Sequence, residues 1–130
     1  MSFISKDEQI LSKIDKNIKK IYMLYERIKP LSEIEIDDGT DGNALAQCVT
    51  NLYELTVRLD SEEVSQKLSM LTSPRIVKLR NISANDYDAV NWSVAKQVCQ
   101  KIVDSITVGV LKECADILER EKKTYKDYTV

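Results

Sequence analysis

The sequence contains no histidine, so the side chain that most often serves as a general base near neutral pH is missing. Glycine and proline are scarce, at three and two residues among 130, which favours few turns and long regular elements. The three cysteines are far apart and form no C-x-x-C pair, so no zinc site is expected. We interpret Cys48, Cys99 and Cys114 as buried, reduced thiols, which indicates a cytoplasmic location.

Long apolar stretches are also missing. No apolar run approaches the length of a membrane span, and residues 1–5 lack the charged start and apolar block of a signal peptide, so no membrane partner is expected. Hydrophobic residues make up 43% and charged residues 31% of the chain, a globular composition. The length predicts a single domain over residues 1–130 with its own core and a polar, frayed tail from about residue 122.

The net charge of −2 is unevenly distributed along the chain. Residues 31–63 sum to −8, whereas the segments before and after them each sum to +3. An acidic chain of this kind is not a general nucleic-acid coat, so any nucleic-acid contact requires a local basic cleft. Four lysines cluster on the first predicted helix, and a solvated helix face is favoured for them over an RNA-binding track: Lys13, Lys16, Lys19 and Lys20.

The first helix is predicted between Ser5 and Pro30. Ser5 and Glu8 fit a capping box, in which each side chain satisfies the other residue's backbone N–H group. Pro30 ends the helix, because the residue before a proline avoids the helical region. The predicted apolar face has members three or four residues apart: Ile10, Ile14, Ile18, Ile21, Tyr25 and Ile28.

Further helices are predicted along the rest of the chain. Residues 31–42 are interpreted as a loop, after which a helix runs to about Asp60. Ser61 is predicted to cap a short helix, and Ser73-Pro74 to start another.

A long helical region follows from Val90 to Leu118, with Gly109 as a candidate break or bend. No strand alternation, hairpin turn or glycine-rich phosphate loop appears in the sequence. The predicted fold class is therefore all-α, an antiparallel bundle of four or five helices.

One string of chemistry-bearing residues lies where the helix after Ser73 is predicted to end: Arg80-Asn81-Ile82-Ser83-Ala84-Asn85-Asp86-Tyr87. The planar guanidinium of Arg80 suits phosphate oxygens. Five residues are about one and a half helical turns, so Arg80 and Asn85 converge only if the chain leaves the helix near residues 84–87.

This string resembles the R-N-x-x-x-H-x-Y signature of the HEPN ribonucleases, and most closely that of the HepT toxins, with Asn85 at the histidine position. The likeness is specific over residues 74–92. It implies a helical homodimer whose two copies form one cleft, with cleavage of RNA, tRNA being a candidate substrate, and no metal or other cofactor. It also implies a partner, a MntA-type nucleotidyltransferase antitoxin.

The resemblance assigns a role to each matching residue. Arg80 would stabilise the phosphate, a histidine at position 85 would be the general base, and Asn81 would orient a neighbour. Tyr87 would accept AMP from the antitoxin, which blocks the cleft. Since Asn85 accepts no proton near neutral pH, this chain is expected to bind RNA without cleaving it. An engineered His→Asn substitution is the favoured explanation, and a natural non-catalytic protein is the second.

Simpler interpretations of the same residues stay open. Arg80 would form a surface salt bridge, Asn85 would cap a helix C-terminus, and Tyr87 would be a half-buried core tyrosine. Two other functional classes accordingly compete with the nuclease: a non-catalytic HEPN module that docks a nucleotidyltransferase, and an unrelated helical adaptor.

Overall fold

The computed structural model describes residues 3–68, 92–107 and 109–129. These parts of the chain are helical and contain no strand, so the predicted all-α class is confirmed. Six helices are described, of which the second and the fourth have only six residues each. Their bounds are α1 Phe3–Ile28, α2 Glu33–Asp38, α3 Asp41–Thr56, α4 Glu62–Lys67, α5 Trp92–Thr107 and α6 Val110–Thr129.

Helices α1 and α3 pack antiparallel. In the middle of the pair, the side-chain amide of Asn17 donates to the carbonyl of Cys48 over 2.7 Å. At one end Arg27 pairs with Asp41 at 3.6 Å. At the other end, the carboxylate of Asp7 accepts from the backbone just beyond α3. Residue numbers rise along α1 as they fall along α3, which sets the antiparallel direction.

Helices α5 and α6 run back along α1, one after the other. The Tyr25 hydroxyl donates to Gln100 Oε1 of α5 over 2.8 Å, and Glu8 lies 3.7 Å from Lys122 of α6. The break between them is at Gly109, whose φ of +80° favours glycine. The predicted interruption of the long helical region is therefore confirmed.

The core is built on the periodic face of α1. All six positions of the predicted apolar face are buried, and the aliphatic residues of α3 that face them include Leu45 and Leu52. A helix of 26 residues is about 39 Å long, so α1 reaches the full depth of the bundle. This one helix thus contacts α3, α5 and α6 and organises the fold.

The predicted start of α1 is wrong. The helix begins at Phe3, so Ser5 lies inside it and is not the N-cap. Asp7 and Glu8, which belong to the same string, instead face other elements. Asp7 receives the amides of Asp60 and Ser61, and Glu8 lies beside Lys122.

The segment 31–42 is not simply a loop, because it contains α2. Ser32 and Glu35 form a capping box there, with distances of 3.3 and 3.1 Å between the side-chain oxygens and the backbone nitrogens. Acidic residues in the first turn favour a helix N-terminus, so the composition that suggested a loop stabilises a short helix. The Ser32 N–H donor also holds the pKa of the Glu35 carboxyl below its usual value.

Two other predicted boundaries shift. Helix α3 ends at Thr56 rather than near Asp60. The predicted cap of the next helix is confirmed, since Ser61 Oγ accepts from the Val64 N–H over 3.3 Å. The stretch from about residue 122 that is predicted to be a polar, frayed tail lies within α6, which continues to Thr129. No proline or glycine interrupts residues 110–129.

Candidate functional site

The HEPN-like string lies outside the described residues. Arg80, Asn81, Asn85 and Tyr87, as well as the predicted helix start at Ser73-Pro74, all fall within 69–91. Their interpretation therefore rests on the sequence.

The two described residues that flank this segment are both anchored in the core. Leu68 and Trp92 are both buried among the residues of the hydrophobic core. The Trp92 ring lies against Gly42, where an added Cβ would be 2.9 Å from Cη2 and 2.7 Å from Cγ2 of Ile36. A glycine at position 42 is therefore what lets α2, α3 and α5 meet around the indole.

A buried carboxylate fixes the turn between α3 and α4. The two oxygens of Asp7 accept the backbone N–H groups of Asp60 at 2.9 Å and Ser61 at 2.7 Å. Ser61 Oγ also donates to Glu121 Oε1 of α6 over 2.8 Å. These hydrogen bonds satisfy the Asp60 and Ser61 N–H groups and join α1, α4 and α6, which is a structural role.

A second polar chain connects α1 with α5. The Tyr25 hydroxyl donates to Gln100, whose amide nitrogen donates to Asp104 over 2.9 Å. Burial raises the pKa of Tyr25, so its hydroxyl stays protonated and acts as a donor. Tyr25 is thus occupied in packing and is not an activated nucleophile.

The three cysteines are free, as expected, but only two of them are buried as predicted. Cys99 and Cys114 are buried and Cys48 is half-buried, and none of the three is in a disulfide. Burial raises the pKa of Cys99 to about 12 and that of Cys114 to about 11. Thiols with such pKa values are inert near neutral pH.

A groove with basic walls runs between α1 and α3, with a volume of about 340 Å³. Below it is called the basic groove. Its cations are Lys13, Lys16 and Lys20 of α1 and Arg58, which follows α3. Its other lining residues are Asn17, Asn51, Glu54 and Leu55.

The four clustered lysines of α1, Lys13 to Lys20, do not share one role. Lys19 faces away from the groove and pairs with Asp15 at 3.0 Å. Lys13, Lys16 and Lys20 are three and four residues apart, which places them on one helical face. That spacing is visible in the sequence, but the contribution of Arg58 depends on how α3 packs on α1, so sequence reasoning missed the groove.

Among the described residues, no three acidic, cysteine or histidine side chains gather as a metal site requires. In the same parts of the chain, no helix is both long and apolar enough to cross a membrane. Comparison with known protein families, with curated proteins and with solved structures finds no match. The case for a function therefore depends on the string at residues 80–87 and on the surfaces of the bundle.

Proposed function

We propose that this chain is a HEPN protein of the HepT type, the ribonuclease toxin of a toxin–antitoxin pair, in a form that lacks its general base. The observation that carries the proposal is the string from Arg80 to Tyr87, with Asn85 at the histidine position. The all-helical bundle supports it, because the HEPN fold is helical. The free thiols support a cytoplasmic site of action.

The proposed reaction explains the residue types. The ribose 2′-OH attacks the adjacent phosphorus, a new O–P bond forms, and the bond to the 5′-oxygen of the next nucleotide breaks. A histidine at position 85 takes the 2′-OH proton, and the departing oxygen receives a proton in turn. Arg80 offsets the negative charge that develops on the phosphorane. The two copies of a homodimer together form the cleft in which this occurs.

With Asn85 in place of histidine, the site lacks its general base but keeps Arg80 and Tyr87. An amide donates and accepts hydrogen bonds but takes up no proton near neutral pH. General-base catalysis contributes about 10²–10⁴-fold, so the loss takes cleavage below ordinary detection. The chain is expected to retain folding, dimerisation and RNA binding.

Tyr87 provides the proposed control by the antitoxin. Its hydroxyl attacks the α-phosphorus of ATP held by a MntA-type nucleotidyltransferase, a phosphodiester forms, pyrophosphate leaves and the hydroxyl proton is released. The attached phosphate competes with RNA for Arg80 and fills the cleft.

A second candidate is favoured by Asn85 itself. A HEPN module that never used a base would bind a nucleotidyltransferase and position that enzyme's substrate. Such a module needs no histidine, and this sequence has none.

RNA cleavage by the Asn85→His variant tests the proposal against this alternative. We expect cleavage of a tRNA mixture by Asn85→His, none by the chain as it stands, and none by the Asn85→His/Arg80→Ala double variant. Incubation of Asn85→His with a MntA-type enzyme and ATP should then add one AMP, seen by intact mass, and abolish cleavage unless Tyr87 is changed to Phe. No cleavage by a folded, dimeric Asn85→His protein would favour the binding module.

A further inference from the structure

We propose that the basic groove between α1 and α3 binds the phosphodiester backbone of single-stranded nucleic acid. The ligand is RNA where the proposed function holds, and in that respect the inference rests on it. The described residues that line the groove lie within 13–20 and 51–58. In this proposal the groove holds a part of the strand other than the bond to be cleaved.

The gathering of four cations that lack an ion pair distinguishes the groove, since Lys101 and Lys112 also lack one but lie outside it. Six basic residues elsewhere pair with carboxylates across or along helices: Lys6, Lys19, Arg27, Lys67, Arg120 and Lys122. The four cations of the groove form no ion pair with any described side chain. Gathering four like charges around one carboxylate, Glu54, opposes folding in a protein of net charge −2. A bound polyanion would relieve that repulsion.

The spacing suits a chain with a charge on every unit. The three lysines follow one face of α1 over seven residues, a rise of about 10.5 Å. Phosphates of one stacked strand lie about 3.4 Å apart along the axis, so this length spans about three of them. Arg58 approaches from the α3 side, so a backbone lying in the groove meets cations on both walls.

The walls also favour nucleic acid over an acidic peptide. Both walls are helices whose backbone groups are bonded internally, so a peptide finds no sheet edge on which to add a strand. Asn51 lines the groove as well, and its carbonyl oxygen accepts from Gln47 over 3.1 Å, which leaves its two N–H donors for a ligand. Amide donors suit phosphate and base-edge oxygens.

Fluorescence anisotropy of a short, labelled oligouridylate measures this binding with the unmodified chain of 130 residues. If each of the four cations of the groove neutralises one phosphate, the slope of log K against log salt is about −3, at about −0.7 per phosphate on a single strand. Lys16→Gln/Lys20→Gln should weaken binding about tenfold and make the slope shallower by about 1.5. Glutamine keeps the helix propensity of lysine, and circular dichroism checks that the fold is retained.

The control variant is Lys101→Gln/Lys112→Gln, which removes the same charge from two exposed lysines outside the groove. We expect its affinity to stay within about twofold of the unmodified chain. Equal losses in both double variants would overturn the proposal, since they would show a diffuse charge effect. An unaltered affinity in the groove variant, or no binding at about 50 mM salt, would also overturn it.

Two competitors identify the ligand class. Oligodeoxythymidylate should compete, because the phosphodiester backbone is shared, and any preference for RNA then reports contacts to the 2′-OH. Polyglutamate that competes as well as RNA at equal charge would overturn the proposal in favour of an acidic protein segment. The binding assay does not depend on cleavage, so nucleic-acid binding by the groove would stand even if the Asn85→His variant proved inactive. Conversely, cleavage by Asn85→His would stand even if the groove bound no oligonucleotide.

Discussion

Replacing Asp7 with alanine should be among the most damaging single changes in the described part of the bundle. The side chain is fully buried, and its two oxygens accept the N–H groups of Asp60 and Ser61 at 2.9 and 2.7 Å. Alanine leaves two donors without their charged acceptor. Each such loss costs about 1–3 kcal/mol, and bonds to a charged group lie at the upper end, so we expect about 3–5 kcal/mol less free energy of unfolding.

Urea unfolding followed by circular dichroism measures this loss. With an m-value of about 2 kcal/mol/M, the midpoint should fall by about 2 M. Lys6→Ala is the matched control, because it removes an exposed ion pair to Asp60 from the same turn of the helix and should cost less than about 1 kcal/mol. A loss below 1 kcal/mol for Asp7→Ala, or equal losses for the two variants, would refute the view that this carboxylate anchors the α3–α4 turn.

Two further predictions concern packing and thiol chemistry. Gly42→Ala places a methyl group within 3 Å of Ile36 and Trp92 and should cost about 1–3 kcal/mol with altered fluorescence of the single tryptophan, whereas Gly39→Ala meets nothing closer than 3.6 Å and should be close to neutral. A thiol reagent at pH 8 should label half-buried Cys48 first. Cys99 should react only on unfolding, because a pKa of about 12 keeps it almost wholly protonated; labelling of Cys99 as fast as Cys48 in the folded chain would contradict its burial.

The elements that sequence reasoning predicted well are those with local causes. The buried face of α1 follows from its isoleucine spacing, and the cap at Ser61 follows from residue type. The break at Gly109 follows from the absence of a Cβ, which permits a φ of +80°. Each of these features depends on a few neighbouring residues, so the local sequence pattern is enough to predict it.

The features that were missed depend on distant contacts or on very short elements. No role was predicted for Asp7, because its partners lie more than fifty residues away in the sequence. Helix α2 has six residues, too few for an apolar period to appear. The basic groove needs Arg58 on the wall opposite the three lysines, an arrangement that only the packing of α3 on α1 creates.

The groove and the string at 80–87 make separable contributions to the proposed activity. A cation that binds the strand away from the reacting bond stabilises the bound substrate and the transition state equally. Its loss therefore raises KM and leaves kcat unchanged. In an Asn85→His background, Lys16→Gln/Lys20→Gln should accordingly raise KM by about the factor by which it weakens oligouridylate binding. Loss of Arg80 should lower kcat, because the charge it stabilises develops only as the bond breaks. If the groove variant lowered kcat instead, the groove would belong to the reacting centre, and the two surfaces would form one site.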